Sequence, residues 1–250
     1  MRYSLQLWCH RVGMEPRRKM KTNIRIGAAF LVMVALHAMK CGKNDLPHYR
    51  GKPFSDSNYH AGPQTIPGNV QCEYYDFGGE GVAYHDADST NSGSGGLNPS
   101  DGSYLNEFRK NEGVDISYTK MDERKIDNNP YNLVEPEKNQ FYVGWTEPGE
   151  WMKYTVRVKN SGLYAVGLRY TSNRGGKISL SVDDQDPVGP IDVASTFAKE
   201  DPLNWRQWHH WNHVNGLAEI RLQKGIHVLT LATVGEGNMN YDYLEFIFKK

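Results

Sequence analysis

The stretch NWRQWHHWNHV, residues 204 to 214, sets three tryptophans and three histidines within eleven positions. Three chemistries suit such a cluster. Trp205, Trp208 and Trp211 recur every three residues, the spacing of one helical face. His209 and His213 stand at i and i+4, where a helix offers two imidazoles to zinc. Rings held on a loop instead make a platform for a flat ligand. No cap signals flank the stretch and its neighbours are strand-like, which disfavours the helix. No glutamate completes an H-E-x-x-H motif, so the histidines read as surface positions on a strand. The platform reading leads, with Trp205 available in a loop and Trp208 and Trp211 partly packed. Packing of all three is the alternative.

Carboxylates offer a second chemistry. AYHD (83 to 86) and Glu147 with Glu150 in EPGEW resemble the acid pairs that a glycosidase needs. Both lie beside turn glycines, and no strand-borne E-x-D-x-x-E set accompanies them, so catalysis ranks below binding.

The elements that would position these residues are strands. WMKYTVRV places Met152, Tyr154, Val156 and Val158 on one face, and LYAVGLRY does the same for Tyr164, Val166, Leu168 and Tyr170. Trp151 falls on the opposite, polar phase with Lys153, Thr155 and Arg157. KISLSV, AEIRL, IHVLTLATV and YDYLEFIF continue the pattern between turns such as SNRGG and QKG. Short strands at this spacing predict an all-β sandwich or barrel. Long irregular segments at about 86 to 111 and 121 to 140 are expected to be functional loops.

The 250 residues suffice for one sizeable core, and equal numbers of basic and acidic residues, 29 each, leave no net field to draw nucleic acid. Cys9, Cys41 and Cys72 form no zinc spacing and no disulfide framework. MKTNIR followed by an apolar run of 14 residues predicts an export signal over residues 1 to 41, with Met20 as the true start or residues 1 to 19 as a long basic lead. The run ends near Cys41, as in bacterial lipoproteins, so Cys41 is either lipidated or an ordinary residue near the cleavage point. Residues 42 to 68, rich in Gly, Pro, Asn and Ser, read as a flexible linker, and residues 69 to 250 as the folded domain.

QCEYYDFGGEGVAYHDAD, NEGVDI, YVGWTEPGEWMKYTVRV, SGLYAVGLRY, LQKGIHVLTL and NMNYDYLEF occur in an order and spacing that resemble carbohydrate-binding modules of family 6. The resemblance implies a jelly-roll β-sandwich that binds polysaccharide or oligosaccharide without catalysis, beside a glycan-degrading enzyme. It implies a sugar clamped between two aromatic rings at the loop end, one of them Trp205 and the other Phe141 or Tyr142. Asn240, or Asn238 if the loop is shifted, would bond the hydroxyls. A structural Ca²⁺ held by Gln71, Glu73 and Asp242 is implied too, as is a second sugar site on the concave face that Trp151 would line. In the resembled family AYHD and EPGEW are structural. A protein-binding adhesin and a glycan-active hydrolase remain the alternatives.

Overall fold

The computed structural model describes residues 48 to 58, 61 to 123 and 125 to 250. The expected leader and Cys41 lie outside these residues. The chain is an all-β sandwich of two sheets. In the first, β1 (Gln64–Ile66) runs parallel to β6 (Trp151–Val158), followed across the sheet by β11 (Gly225–Gly235), β8 (Gly176–Val182) and β9 (Ile191–Val193), while β3 (Tyr84–His85) shares the outer edge of β6 with β1. The second runs β10 (Asn212–Leu222), β7 (Gly162–Ser172), β12 (Met239–Phe248), β5 (Phe141–Val143) and β4 (Ile116–Tyr118), and β2 (Gly68–Gln71) joins β5 along one edge of β12.

The period-two pattern sets which face each strand buries. Met152, Tyr154, Val156 and Val158 all turn inward, as do Tyr164, Val166, Leu168 and Tyr170, and they meet Leu229, Leu231, Leu244 and Phe246 in one core. Each such side chain contributes roughly 1.5–3 kcal/mol by leaving water. The sandwich therefore rests on the alternation read from the sequence.

Residues 48 to 68 depart from the expected linker. Ile66 is fully buried on β1, and Phe54 stacks on Tyr74 with centroids 4.9 Å apart. Lys52 and Phe77 exchange backbone hydrogen bonds of 2.7 and 2.8 Å. Two isolated apolar residues among prolines and glycines give no period, so burial of this segment left no pattern to read.

The long loops are also packed. In residues 86 to 111, Ser103 caps a single turn of helix, Tyr104–Glu107, accepting from the Asn106 N–H at 3.4 Å. Phe108, just after it, stacks on Phe141 at 4.4 Å. Arg109 lies 3.4 Å over the Tyr75 ring and pairs with Glu112. None of the helices among the described residues is long and apolar enough to cross a membrane.

Candidate functional site

At one end of the sandwich, three segments converge: the loop before β5 (residues 121 to 140), the turn after it, and the segment leading into β10. The aromatic cluster that opened the sequence analysis divides here. Asn204–Arg206 forms one turn of 3-10 helix with Trp205 on its outside, 56% exposed. Trp208 is half-buried and Trp211 fully buried. A helical stripe does not form, because the chain passes from this turn directly into a strand.

The histidines are not surface positions. His210 is fully buried and His209 nearly so, while His213 is half-buried on β10. Asp201 anchors the segment: Arg206 grips both of its oxygens at 2.6 and 2.8 Å, and His210 Nε2 lies 2.9 Å from one of them. These donors outweigh the cost of burial and hold the Asp201 carboxyl well below its ordinary pKa. Arg206 also donates to the Lys125 carbonyl, tying this segment to the loop before β5. Polar hubs, rather than periodic apolar residues, fix the tryptophans.

Phe141 and Tyr142 correct the expected clamp. Strand alternation turns Phe141 into the core beside Phe108 and leaves Tyr142 on the outer face, where His209 and Trp211 cover it at 5.7 and 5.3 Å. They are 3% and 4% exposed, so neither offers a ring face to solvent. Trp145, three residues on, is half-buried and sits at φ 50°, a left-handed turn conformation that tilts it out of strand geometry.

Asn240 begins the last strand at this end, but its amide is buried. Its Oδ1 accepts from the Trp145 N–H at 3.2 Å, and its Nδ2 donates to Thr171 Oγ1 at 2.8 Å and to His209 Nδ1 at 2.9 Å. Gly144 leaves room for this approach, since a Cβ there would stand 3.0 Å from Asn240 Oδ1 and 3.2 Å from the Tyr142 ring, so that these groups would have to give by a few tenths of an ångström. Trp208 meets His209 edge-on at 5.7 Å. Trp145 thus meets the buried Asn240 amide through its peptide N–H, while Trp208 lies against His209, the amide's partner on the other side. Asn238, on the same loop, is exposed.

Asp127 completes the arrangement from the loop side. His209 Nε2 lies 2.8 Å and Trp211 Nε1 2.6 Å from its Oδ1, and the Lys120 N–H donates to its Oδ2 at 2.6 Å. Burial pushes this carboxyl up, but the His209 partner and the hydrogen bonds prevail and its pKa falls below the ordinary value. An open pocket of about 540 Å³ lies along the same loop, lined by Lys125, Asp127, Asn132 and Leu133 among others. Nothing in a periodicity analysis marks Asp127.

Gln71, Glu73 and Asp242 lie together at the β2–β12 edge. Glu73 and Asp242 are 3% and 2% exposed, and Glu73 Oε2 has no hydrogen-bond partner. Burial and then the neighbouring Asp242 charge raise Glu73 well above its usual pKa, while burial lifts Asp242 to about 8 despite Arg169 at 3.4 Å. Gln140 Nε2 bridges Asp242 Oδ1 at 2.6 Å and Gln71 Oε1 at 3.2 Å, and a cavity of about 460 Å³ opens beside them. Among the described residues no group of three or more His, Cys, Asp or Glu side chains could hold a metal. Two buried, mutually repelling carboxylates, one with an orphaned oxygen, plus amide oxygens nevertheless form a hard donor set that fits Ca²⁺.

The acidic group near β3 is differently engaged. Glu150 accepts the N–H groups of Ala87 and Glu147 at 3.2 and 2.8 Å, and Glu80 takes the Asp86 N–H and His85 Nδ1. These oxygens shape turns, in line with a structural role for AYHD and EPGEW. His85 stands beside Trp151, with ring centroids 6.3 Å apart.

The family described as carbohydrate binding module (family 6) matches residues 110 to 250. Among solved structures, a family 6 module from Clostridium stercorarium in complex with cellobiose is 16% identical and aligns over 75% of this chain and 98% of its own, with a TM-score of 0.45. A β-1,3-glucan-binding family 6 module from Bacillus halodurans is 14% identical over 74% and 98%, with a TM-score of 0.42. A family 35 module from Clostridium thermocellum is 21% identical over 47% and 84%, with a TM-score of 0.36. A search of curated proteins finds no match to this chain. With more than half of its length, the loop-end site included, matched by the family, the chain belongs to the carbohydrate-binding modules of family 6.

Proposed function

We propose that the protein binds a polysaccharide or oligosaccharide without catalysis, at the loop end of the sandwich, with Trp145 and Trp208 as the two aromatic arms. The observation that carries this reading is a pair of half-buried tryptophans near the Asn240 amide, Trp145 bonded to it through its peptide N–H and Trp208 packed on His209, which meets the amide's other side. A pyranose packs its C–H face on such rings, and its hydroxyls need directional polar partners. Asn238 supplies an exposed amide on the same loop, and Trp205 extends the apolar rim. A site for one or two sugars binds at roughly micromolar to millimolar strength.

Ca²⁺ held by Gln71, Glu73 and Asp242 belongs to the same proposal, as a staple between the first and last strands of the second sheet. Bound there, it supplies positive charge that two buried carboxylates lack. Export of the protein, anchorage through a lipidated Cys41 and action beside a glycan-degrading enzyme complete the reading. The test is binding of the chain to a polysaccharide panel, with Trp145→Ala and Trp208→Ala alongside. Binding of a protein ligand with indifference to every glycan would replace this reading with an adhesin.

A further inference from the structure

We propose that Asp127 and His209 are positioning residues that hold the Asn240 amide in one orientation and, through it, set the two tryptophan arms. The inference rests on the proposed sugar site and concerns how the Asn240 amide within it is held in orientation.

Both ends of a chain of hydrogen bonds constrain the imidazole between them. At one end the Trp145 peptide N–H can only donate, so the amide atom that it meets at 3.2 Å is the oxygen, Oδ1. Nδ2 therefore faces Thr171 Oγ1 and His209 Nδ1, and a ring nitrogen that receives an amide N–H must carry no proton. At the other end, Asp127 accepts from the Lys120 N–H and from Trp211 Nε1, and His209 Nε2 points at the same carboxylate at 2.8 Å. That nitrogen must carry the proton. A peptide N–H and a buried carboxylate thus independently require the same tautomer of His209.

Burial gives the relay its leverage. Asp127, His209 and Asn240 are 0%, 7% and 1% exposed, so water does not compete for these hydrogen bonds. Trp145 hangs from one side of Asn240 by its own backbone, and Trp208 rests on His209 at the other. Asp127 comes from the loop of residues 121 to 140, so that loop is connected to the rings through the relay.

The test uses the full chain. Nitrogen-detected NMR of the free protein reads the His209 tautomer and the solvent exchange of the Asn240 side-chain amide. Affinity electrophoresis, in the glycan that retards the unaltered chain, reads binding by Asp127→Asn, His209→Ala and His209→Gln. The expected result is a proton on Nε2 with a protected Asn240 amide. About tenfold weaker binding by Asp127→Asn and His209→Ala is expected too, with most of it restored by His209→Gln, whose amide keeps a donor and an acceptor. A proton on Nδ1, a freely exchanging Asn240 amide, or folded Asp127→Asn and His209→Ala chains that bind normally would overturn the relay. If a variant fails to fold, the tautomer and exchange of the unaltered chain decide. If the unaltered chain binds no glycan, the proposed function falls, while the relay is still judged by the same spectra.

Discussion

At the scale of single residues, the tryptophans divide by exposure and attachment rather than by spacing. Removing a stacking ring costs an interface upward of about 1.4 kcal/mol, so Trp145→Ala and Trp208→Ala should each weaken glycan binding at least about tenfold. Trp205→Ala should change it far less, because the proposed stack uses the other two rings and Trp205 stands 56% exposed; titration of the three variants with one oligosaccharide checks the order. Phe141→Ala should act on stability instead, lowering it by about 3–5 kcal/mol in denaturant unfolding, since the ring fills the core against Phe108. The sequence reading put the proposed sugar site at the loop end of the sandwich and named Asn240, which the structure buries in a hydrogen-bond network. It did not show which rings face outward. Phe141 and Val143 follow the inward phase of β5, and Tyr142 points outward only to be covered by His209 and Trp211. Trp145 escapes the strand through a left-handed backbone that no alternation predicts. The histidines looked like surface residues because their partners, Asp127 and Asp201, lie far away in sequence or in segments without period.

At the scale of elements, the regular strands were legible and the irregular edge was not. Strands β6, β7, β8, β11 and β12 each alternate over several residues, whereas β1 has three residues beside a proline and earns its place by pairing with β6. A chain beginning at residue 69 should therefore lose about 3–6 kcal/mol from the Phe54 and Ile66 side chains alone, measured against one beginning at residue 48. The corner where β3 meets β6 carries a pH dependence of defined sign. Burial raises Asp86 to about 6 and Glu150 to about 7, from ordinary values near 4. The folded state binds these protons more tightly than the unfolded state, so their contribution is fully present below the ordinary values and is lost as pH rises through about 6 to 7. The thermal midpoint should fall between about pH 5 and 8, and Glu150→Gln should flatten that fall. At the β2–β12 edge, Ca²⁺ at about a hundred times its Kd should raise the midpoint of chelator-treated protein by about 5 to 10 °C. Glu73→Gln should remove most of that gain.

At the scale of the whole molecule, a family 6 module whose net charge is zero has no summed field to draw a charged partner. Binding should accordingly change little between low and physiological salt, unlike an association driven by counterion release. The fold was written along the chain because alternation is local, but the site was only partly written. Its geometry depends on contacts between residues about eighty or more apart, such as Asp127 with His209 and Trp145 with Asn240. The most direct measurement is affinity electrophoresis of the full chain through gels that each contain one plant, algal or host polysaccharide. The account predicts retardation by one glycan class, abolished in Trp145→Ala and Trp208→Ala and kept in Trp205→Ala. Retardation by no glycan, or retardation that survives the loss of both Trp145 and Trp208, would contradict it.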